Sequence, residues 1–286
     1  MPELPEVQTI VTDLKKVLPG LKITGFWTDI PSFQKVKKGA IGKKILDIER
    51  RGKNILIHLS ENITLLIHQK LTGHLLYGKW KLEGREWKSD VLGPLSEDPQ
   101  NRFIHLILNL SNGKQLALSD LRKFAKVIVW PTEKLNELMD IKKLGPEPLS
   151  PIFTFEKFKE ILKKKKGKIK QILMDQETIA GIGNIYSDEI LWEAGVHPLS
   201  RTDKLNDQEL KNIFNAIKKV LKRAIEAKGD SMSDYRRPSG EKGRYQEIQN
   251  AYQMTGQKCK KHDGGIIKKI KIGGRSAHFC PVHQRL

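Results

Sequence analysis

The first residues of the chain combine a potential nucleophile with a potential acid. The sequence begins Met-Pro-Glu-Leu-Pro-Glu-Val, so loss of Met1 leaves the secondary amine of Pro2 at the N-terminus. An α-amino group titrates near ~8, and a helix that begins close by disfavours its protonated form. Such an amine can attack an electrophilic carbon and form an iminium, and Glu3 can protonate a leaving or ring oxygen. The alternative is that Pro2 and Glu3 only begin a helix, where both residue types are common.

A second group of chemically active residues lies near the other end of the chain. Two residues separate Cys259 from His262, and the same spacing recurs seventeen residues later between Cys280 and His283. Paired ligands at this spacing are typical of zinc sites, and four protein ligands leave no open position, which indicates a structural ion. Glycine pairs between the two motifs suit the turns of a β-hairpin. We therefore predict a zinc-bound hairpin, with His278 as a possible substitute ligand.

The composition favours a polyanionic partner. The chain has 286 residues, with 52 Lys plus Arg against 33 Asp plus Glu and a formal net charge of +19. So large a surplus is more typical of nucleic-acid binding than of charge that serves solubility alone. No apolar run approaches the ~20 residues of a membrane span, and the start lacks an apolar signal core. We expect a soluble, cytoplasmic protein of about two domains with no membrane partner.

Apolar spacing predicts a leading helix and then a strand-rich region. Residues 5–18 have apolar side chains at helical spacing, and Pro19-Gly20 predicts the end of that helix. Short alternating segments follow, and Asn112-Gly113 between two of them predicts a hairpin. The predicted strands are residues 23–30, 45–49, 54–59, 64–68, 74–78, 103–110, 115–119 and 127–130. We interpret residues 1–131 as one helix with an antiparallel β-sandwich.

A second, helical region follows a Pro/Gly-rich connection. Residues 144–149 close the strand region, and we assign 132–150 to an interdomain linker. Helical patterns cover residues 154–166, 168–175, 184–194 and 206–227, and the last of them opens with Asn206 and Glu209 in capping-box register. Glycines at 181 and 183 form a turn between two helices, where backbone N–H groups can approach a phosphate. Residues 229–246 are a polar stretch too long for a tight connection, and a lid and a disordered linker fit it equally.

Taken together, these motifs resemble the formamidopyrimidine-DNA glycosylase and endonuclease VIII family. The resemblance runs essentially end to end and is very specific. It rests on residues 2–7, 51–53, 144–149, 169–186 and 274–276, and on the Cys/His pairs around the last of these. The family consists of base-excision repair enzymes that remove oxidised bases from double-stranded DNA and then cut the strand at the resulting abasic site.

The resemblance implies an α+β multidomain fold. Its parts would be a catalytic domain of N-terminal helix and β-sandwich at 1–131, a helix-two-turn-helix DNA-binding domain at 151–250, and a β-hairpin zinc finger at 251–286. It also implies one structural zinc ion and a monomeric protein. The partner would be duplex DNA that contains oxidised bases or abasic sites.

The resemblance further assigns roles to four catalytic positions. Pro2 would attack the sugar C1′ and displace the base, with Glu3 as the acid at the sugar oxygen. Lys53 would assist elimination and bind the flanking phosphate. Arg275 matches the finger arginine of the family. Because a guanidinium is a poor proton donor at neutral pH, we expect Arg275 to act chiefly as a bidentate phosphate ligand.

The resemblance also implies which residues contact DNA. Leu71, Arg122 and Phe124 match the residues that fill the gap left by a flipped base, and their types suit a wedge, a hydrogen-bonding cation and a stacking ring. The alternative for Leu71 and Phe124 is ordinary core at strand ends. Further DNA-binding positions implied by the family are His105, Lys165, Lys170, Asn184 and Tyr186.

Departures from the family pattern leave the substrate class open. The finger has histidine where the usual pattern has the second cysteine of each pair, and Phe103 replaces the first residue of a Lys-His-x-His pattern. Leu71 is closer to the endonuclease VIII branch, which acts on oxidised pyrimidines. Residues 229–246 and the Arg122-x-Phe124 pair favour the oxidised-guanine branch. A lyase restricted to abasic sites and a catalytically silent DNA-binding protein remain alternatives, although Pro2, Glu3 and Lys53 together argue against the last.

Overall fold

The computed structural model describes residues 1–84, 86–96 and 98–286, and the chain divides into two compact units. The first unit comprises residues 1–142 and 227–244. Its helices are α1 (Leu4–Lys15), α2 (Gln34–Ala40) and α3 (Met139–Lys142). Its strands are β1 (Ile23–Thr28), β2 (Ile45–Arg51), β3 (Asn54–Leu59), β4 (Ile63–His68), β5 (Gly73–Gly78), β6 (Trp80–Glu83), β7 (Glu86–Ser89), β8 (Ile104–Leu110), β9 (Gln115–Asp120) and β10 (Lys126–Pro131).

The first unit is an antiparallel β-sandwich, as predicted. One four-stranded sheet has the order β1-β8-β9-β5 and the other has the order β10-β4-β3-β2, while β6 and β7 pair separately. Alternating side chains of both sheets bury a common apolar core, which includes Ile57 and Leu65 from one sheet and Leu106 and Leu118 from the other. The predicted Asn112-Gly113 turn joins β8 to β9, and Gly113 takes a positive φ of 77°.

Helix α1 closes this core with one apolar face. Val7, Ile10, Val11 and Leu14 are all buried in the same cluster as the sheet residues. The helix therefore has a fixed position on the sandwich, and so does the chain start that leads into it. This is the element that the spacing at residues 5–18 predicts, although the helix ends at Lys15.

The long polar stretch at 229–246 packs mainly on the first unit. The N–H of Tyr77 in β5 donates to the carbonyl of Pro238 at 2.8 Å, and the guanidinium of Arg237 contacts the carboxylate of Asp13 at 2.9 Å. His74 contacts the carbonyl of Asp234. These contacts place residues 227–244 with the sandwich, whereas the domain bounds expected from the resemblance put them in the helical domain.

The second unit comprises residues 143–226 and 245–286. Its helices are α4 (Phe155–Lys163), α5 (Ile169–Met174), α6 (Asn184–Ala194) and α7 (Asp207–Glu226), and its strands are β11 (Lys268–Ile272) and β12 (Arg275–Phe279). The predicted capping box at the start of α7 is present, because the N–H of Asn206 donates to Glu209 and the N–H of Glu209 donates to Asn206. Gly273 and Gly274, at φ 54° and 78°, form the tight turn between β11 and β12.

Two adjacent buried carboxylates on α6 organise the second unit. Asp188 accepts hydrogen bonds from the backbone N–H and the ring of His278 in β12, at 3.0 and 2.8 Å. Glu189 accepts backbone N–H groups of Asn250, Ala251 and Tyr252, and burial raises the pKa of its carboxyl. Both side chains are fully buried. Helix α6 thus fixes the C-terminal hairpin and the segment that precedes it.

Among the described residues, none of the helices combines the length and apolar character required to cross a bilayer.

Candidate active site and DNA-binding residues

The start of α1 is a buried and hydrogen-bonded site. Pro2 is buried, Glu3 is 2% exposed, and the Glu3 N–H donates to one carboxylate oxygen of Glu6 at 2.8 Å. The other Glu6 oxygen accepts the N–H of Asp230 at 2.8 Å, and the Tyr235 hydroxyl donates to the Glu6 carbonyl at 3.4 Å. Glu6 therefore connects the terminal residues to the 227–244 segment. The first residues are in this way ordered before any substrate binds.

Lys53 lies in the tight turn between β2 and β3. Gly52 takes a φ of 58° there, which favours glycine. The Arg50 side chain donates to the Gln8 side chain of α1 at 2.9 Å and to the Gly52 carbonyl at 3.0 Å. This arginine links the turn to the helix that begins next to Pro2. Lys53 is only 6% exposed, so its ammonium is held in a confined position.

His68, at the end of β4, is a candidate site residue that the sequence analysis missed. Burial lowers its pKa to about 4, and the positive charges of Lys70 and Lys53 add to this effect. Its Nδ1 accepts the N–H of Lys70 at 2.9 Å. The imidazole is therefore neutral at pH 7 and lies within the electrostatic reach of Lys53. Only its position at the end of a predicted strand could have marked His68 as a site residue, and many structural histidines have the same position.

The structure brings the three predicted gap-filling residues together. The Thr72 hydroxyl donates to the buried carboxylate of Asp120 at 2.5 Å, and the Arg122 N–H donates to that hydroxyl at 3.2 Å. These bonds join the turn that contains Leu71 to the turn that contains Arg122 and Phe124. Leu71 and Phe124 are 36% and 52% exposed, and the Arg122 guanidinium lies 4.7 Å from the centre of the Phe124 ring. Exposed apolar groups beside a cation suit insertion into a base stack.

His105 does not lie on this surface. His105 is 7% exposed, and its Nδ1 contacts the Asp29 carboxylate at 2.9 Å. Lys123 approaches the same carboxylate at 3.5 Å. The burial of His105 in β8 argues against a direct DNA contact by its ring in this conformation.

In the second unit, the glycine turn leads directly into the N-terminus of α6. Asn184 is the first helical residue and is partly exposed, and the Gly181 N–H donates to the Gln176 side chain at 2.8 Å. A helix start of this kind can bind a phosphate through its N–H groups. Tyr186 is fully buried, with its ring centre 5.2 Å from that of Tyr245. Its role in this conformation is therefore packing.

The two lysines predicted to contact DNA have different environments. Lys165 is partly exposed and pairs with Asp175 at 3.0 Å. Lys170 is fully buried, and its ammonium contacts the Asp188 carboxylate at 2.5 Å and the Ser187 hydroxyl at 3.1 Å. Because Asp188 also binds His278 of β12, Lys170 acts through the position of the hairpin rather than as an exposed ligand.

Replacing Asp188 with Asn is expected to destabilise the protein strongly. The change leaves the buried ammonium of Lys170 without its counter-charge, a loss that costs about 3–5 kcal/mol. Thermal unfolding followed by circular dichroism measures the effect. Asp203→Asn is the control, because Asp203 forms an exposed ion pair with Arg201 and its loss should leave the unfolding temperature unchanged. Equal unfolding temperatures for both variants would contradict the buried pair.

Arg275 is exposed at the first position of β12, opposite Ile272 in the hairpin register. The Lys170, Asp188 and His278 contacts fix the strand that carries it. Its exposed guanidinium is therefore presented from an ordered strand, as a phosphate ligand requires.

Four side chains at the base of the hairpin could bind a metal ion. The ligand atoms of Cys259, Asp263, Cys280 and His283 all lie within 4.8 Å of one another. Three of these are predicted ligands, but His262 is not in the group. It is exposed and takes a φ of 55°, and the next residue, Asp263, lies with the thiols. The donor set fits zinc, because two thiolates, one imidazole and one carboxylate are all common ligands of that ion.

The sequence matches two domain families that cover most of the chain. Residues 1–127 match the formamidopyrimidine-DNA glycosylase N-terminal domain, and residues 144–236 match the formamidopyrimidine-DNA glycosylase H2TH domain. A formamidopyrimidine-DNA glycosylase of Pelotomaculum thermopropionicum is 39% identical over 292 residues, with 100% of both chains covered. One from Desulforamulus reducens is 36% identical, with 100% of this chain and 99% of the relative covered.

Solved structures agree with the sequence comparison. A complex between a Lactococcus lactis FPG mutant and a Fapy-dG containing DNA superposes with a TM-score of 0.87 at 33% identity, over 100% of both chains. The wild-type Lactococcus lactis FPG bound to an oxidised pyrimidine containing DNA gives 0.86 at 33% identity, also over 100% of both chains. The matched domains, the curated relatives and the solved structures agree, and the chain belongs to the formamidopyrimidine-DNA glycosylase family.

Proposed function

We propose that this protein is a bifunctional DNA glycosylase and AP lyase that excises oxidised purines, 8-oxoguanine and formamidopyrimidines, from double-stranded DNA and then cuts the strand. The observation that carries the proposal is the chain start, where Pro2 and Glu3 are buried at the head of α1 and Glu6 orders them. DNA binding alone needs no amine at residue 2. Membership of the family supports the same activity.

Base flipping comes first in the proposed reaction, because the sugar C1′ is inaccessible inside a duplex. Leu71 and Phe124 enter the gap from which the damaged nucleotide leaves, and Arg122 hydrogen-bonds the orphaned partner base. The exposure of these three side chains and their shared support through Thr72 favour this assignment. Unpairing costs least at a lesion, which contributes to selectivity.

The chemical step uses the amine of Pro2 after Met1 is removed. Its lone pair forms a bond to C1′, the bond from C1′ to the base breaks, and the base leaves with the proton that the amine gives up. Glu3 protonates the sugar ring oxygen, so that the ring opens and an iminium forms between C1′ and Pro2. The covalent intermediate splits a difficult substitution into easier steps.

Strand cleavage follows from the iminium. Loss of a proton from C2′ breaks the bond from C3′ to oxygen and releases the 3′ phosphate, and a second elimination releases the 5′ phosphate. The confined ammonium of Lys53 assists by binding the flanking phosphate, and the nearby neutral His68 can donate a hydrogen bond to the same anion. Neither elimination requires water as a nucleophile.

The second unit supplies the remaining DNA contacts. Arg275 binds a phosphate as a bidentate ligand, and Asn184 places the N-terminus of α6 against another. Lys165 adds to the positive surface, in keeping with the net charge of +19. Lys170 and Tyr186 contribute by positioning, since both are buried. Zinc in the Cys/His hairpin would supply folding energy to a segment with a small core.

The substrate class is tested by comparing three duplexes that differ only in the lesion. We expect the highest rate of excision and cutting for 8-oxoguanine opposite cytosine, a lower rate for an oxidised pyrimidine, and efficient cutting of a bare abasic site. Preference for the pyrimidine would assign the protein to the endonuclease VIII branch, in which the residue at the position of Leu71 is closer to leucine. Cutting of the abasic site alone would make it a lyase, and no cutting would leave a DNA-binding protein.

A further inference from the structure

The turn that precedes the hairpin contains two neighbouring candidate ligands with opposite orientations. Asp263 contributes a carboxylate to the group with Cys259, Cys280 and His283, whereas His262 is exposed. A Cys-x2-His pattern at zinc spacing is present in the sequence, yet the folded turn offers Cys-x3-Asp. The two possibilities make different predictions about which substitution removes the metal.

Backbone hydrogen bonds explain why the turn selects Asp263. The His262 N–H donates to the Cys259 carbonyl at 3.0 Å, and the Cys259 N–H donates to the Gly265 carbonyl at 2.8 Å. This ring of bonds closes a tight loop in which His262 takes a φ of 55° and Gly264 a φ of 77°. Gly265 also permits the close approach of the Cys280 sulfur, which a Cβ at that position would obstruct.

Three of the four candidate ligand residues form hydrogen bonds with neighbours that do not supply a donor atom to the group. The Nε2 of His283 lies 3.2 Å from the Trp192 carbonyl, which can only accept, so Nε2 carries the proton and Nδ1 keeps its lone pair. The Gly265 N–H donates to Oδ1 of Asp263 at 2.8 Å and leaves Oδ2 directed at the other donors. The Cys280 N–H donates to the Gln284 side chain at 2.8 Å.

Distances between the donor atoms suit a small tetrahedral ion. Oδ2 of Asp263 lies 3.3 Å from Sγ of Cys280, and Nδ1 of His283 lies 3.7 Å from Sγ of Cys259. Zinc bonds of ~2.3 Å to sulfur and ~2.0 Å to nitrogen or oxygen give a tetrahedral edge of about 3.5 Å. Nδ1 of His283 and Oδ2 of Asp263 are 2.5 Å apart, a contact that an ion bonded to both atoms would replace.

We propose that Asp263, and not His262, supplies the fourth ligand of this metal centre, which is therefore a zinc site of two thiolates, one imidazole and one carboxylate. The ion bonds to Sγ of Cys259, Sγ of Cys280, Nδ1 of His283 and Oδ2 of Asp263. With no open position, the centre is structural. His262 remains a solvent-exposed residue of the turn.

Alanine substitution of the two neighbours tests the proposal. Asp263→Ala and His262→Ala are prepared as full-length proteins, and zinc per chain and zinc affinity are measured by competition with a chelator. We expect Asp263→Ala to bind zinc at least about 10-fold more weakly and His262→Ala to bind it as the unsubstituted protein does. The reverse pattern, equal loss in both variants, or no loss in Asp263→Ala would overturn the assignment. Cys259→Ser serves as the control that must lose the metal.

A cysteine substitution keeps the test decisive if Asp263→Ala folds poorly. In Asp263→Cys the centre gains a third thiolate, so the thiolate-to-metal charge-transfer absorption of the cobalt-loaded protein should rise about 1.5-fold while the tetrahedral bands persist. His262→Cys in the same assay should leave the spectrum unchanged. A gain in His262→Cys without a gain in Asp263→Cys would refute the proposal. These readouts involve no DNA, so they are independent of the proposed enzymatic activity.

Discussion

A chain that retains residues ahead of Pro2 is expected to lose all glycosylase and lyase activity. An uncleaved Gly-Ser extension converts the amine of Pro2 into an amide, whose nitrogen has no available lone pair for attack at C1′. We expect cutting of an 8-oxoguanine duplex to fall by at least about 10³-fold, because the covalent route is closed. Single-turnover cutting measures the loss, and borohydride should trap no DNA on the extended protein.

The extension has a clear control. Binding of the same duplex should remain within a few fold of the unextended protein, because the proposed phosphate ligands Lys53, Asn184 and Arg275 are unchanged. An extended chain that still cuts at the normal rate would exclude Pro2 as the nucleophile. Loss of both binding and cutting would instead indicate that the extension disturbs the buried start of α1.

Replacement of Glu3 with Gln is expected to separate the two activities. The amide has nearly the shape of the carboxyl and leaves the bond from the Glu3 N–H to Glu6 in place. It cannot protonate the sugar oxygen, so base excision should fall by ~10²–10⁴-fold. A bare abasic site presents a ring-opened aldehyde that Pro2 attacks without departure of a base, so cutting there should fall far less. Rates on the two duplexes measure this difference.

Glu133→Gln is the matched control for this experiment. Glu133 is exposed, and its carboxylate accepts a hydrogen bond from the Asn62 side chain at 3.0 Å, so its loss should change neither rate. Equal losses on both substrates in Glu3→Gln would mean that Glu3 serves the shared iminium step instead of base departure. An unchanged excision rate would remove Glu3 from the mechanism.

Local patterns predicted those elements whose formation depends on neighbouring residues. The spacing of Val7, Ile10 and Leu14 predicted α1, and the glycine pair at 273–274 predicted the turn between β11 and β12. The capping box of Asn206 and Glu209 was also confirmed. In each case the determining contacts span only a few residues, so the sequence pattern carries the information.

Features that depend on distant partners were not predictable in the same way. Lys170 is a basic residue in a basic chain, and its burial follows from Asp188 and from His278, which is far away in sequence. Residues 229–246 have a polar sequence, which does not predict packing. They nevertheless pack on the first unit through contacts with residues more than 150 positions earlier, such as Tyr77. Periodicity contains no information on such pairings.

The candidate metal site shows how ligand spacing can identify neighbouring residues without identifying every donor group that lies beside them. Spacing correctly identified Cys259, Cys280 and His283 as neighbours, but the regular x2 spacing pointed to His262. Which residue of the turn reaches the thiols depends on the φ angles of His262 and Gly264, which a spacing rule does not contain.

The strands β6 and β7 and the helix α2 were missed because their short segments have weak alternation.

The role of Pro2 as the nucleophile is tested by identifying the residue that bonds to DNA. The protein is reduced with borohydride in the presence of a duplex that contains 8-oxoguanine opposite cytosine, the conjugate is digested with a protease, and the modified peptide is sequenced by mass spectrometry. We predict that the sugar remnant is attached to the nitrogen of Pro2 in a peptide that lacks Met1. An adduct on Lys53 or on any other lysine would contradict the assignment of Pro2 as the nucleophile, and so would the absence of an adduct from protein that cuts the duplex.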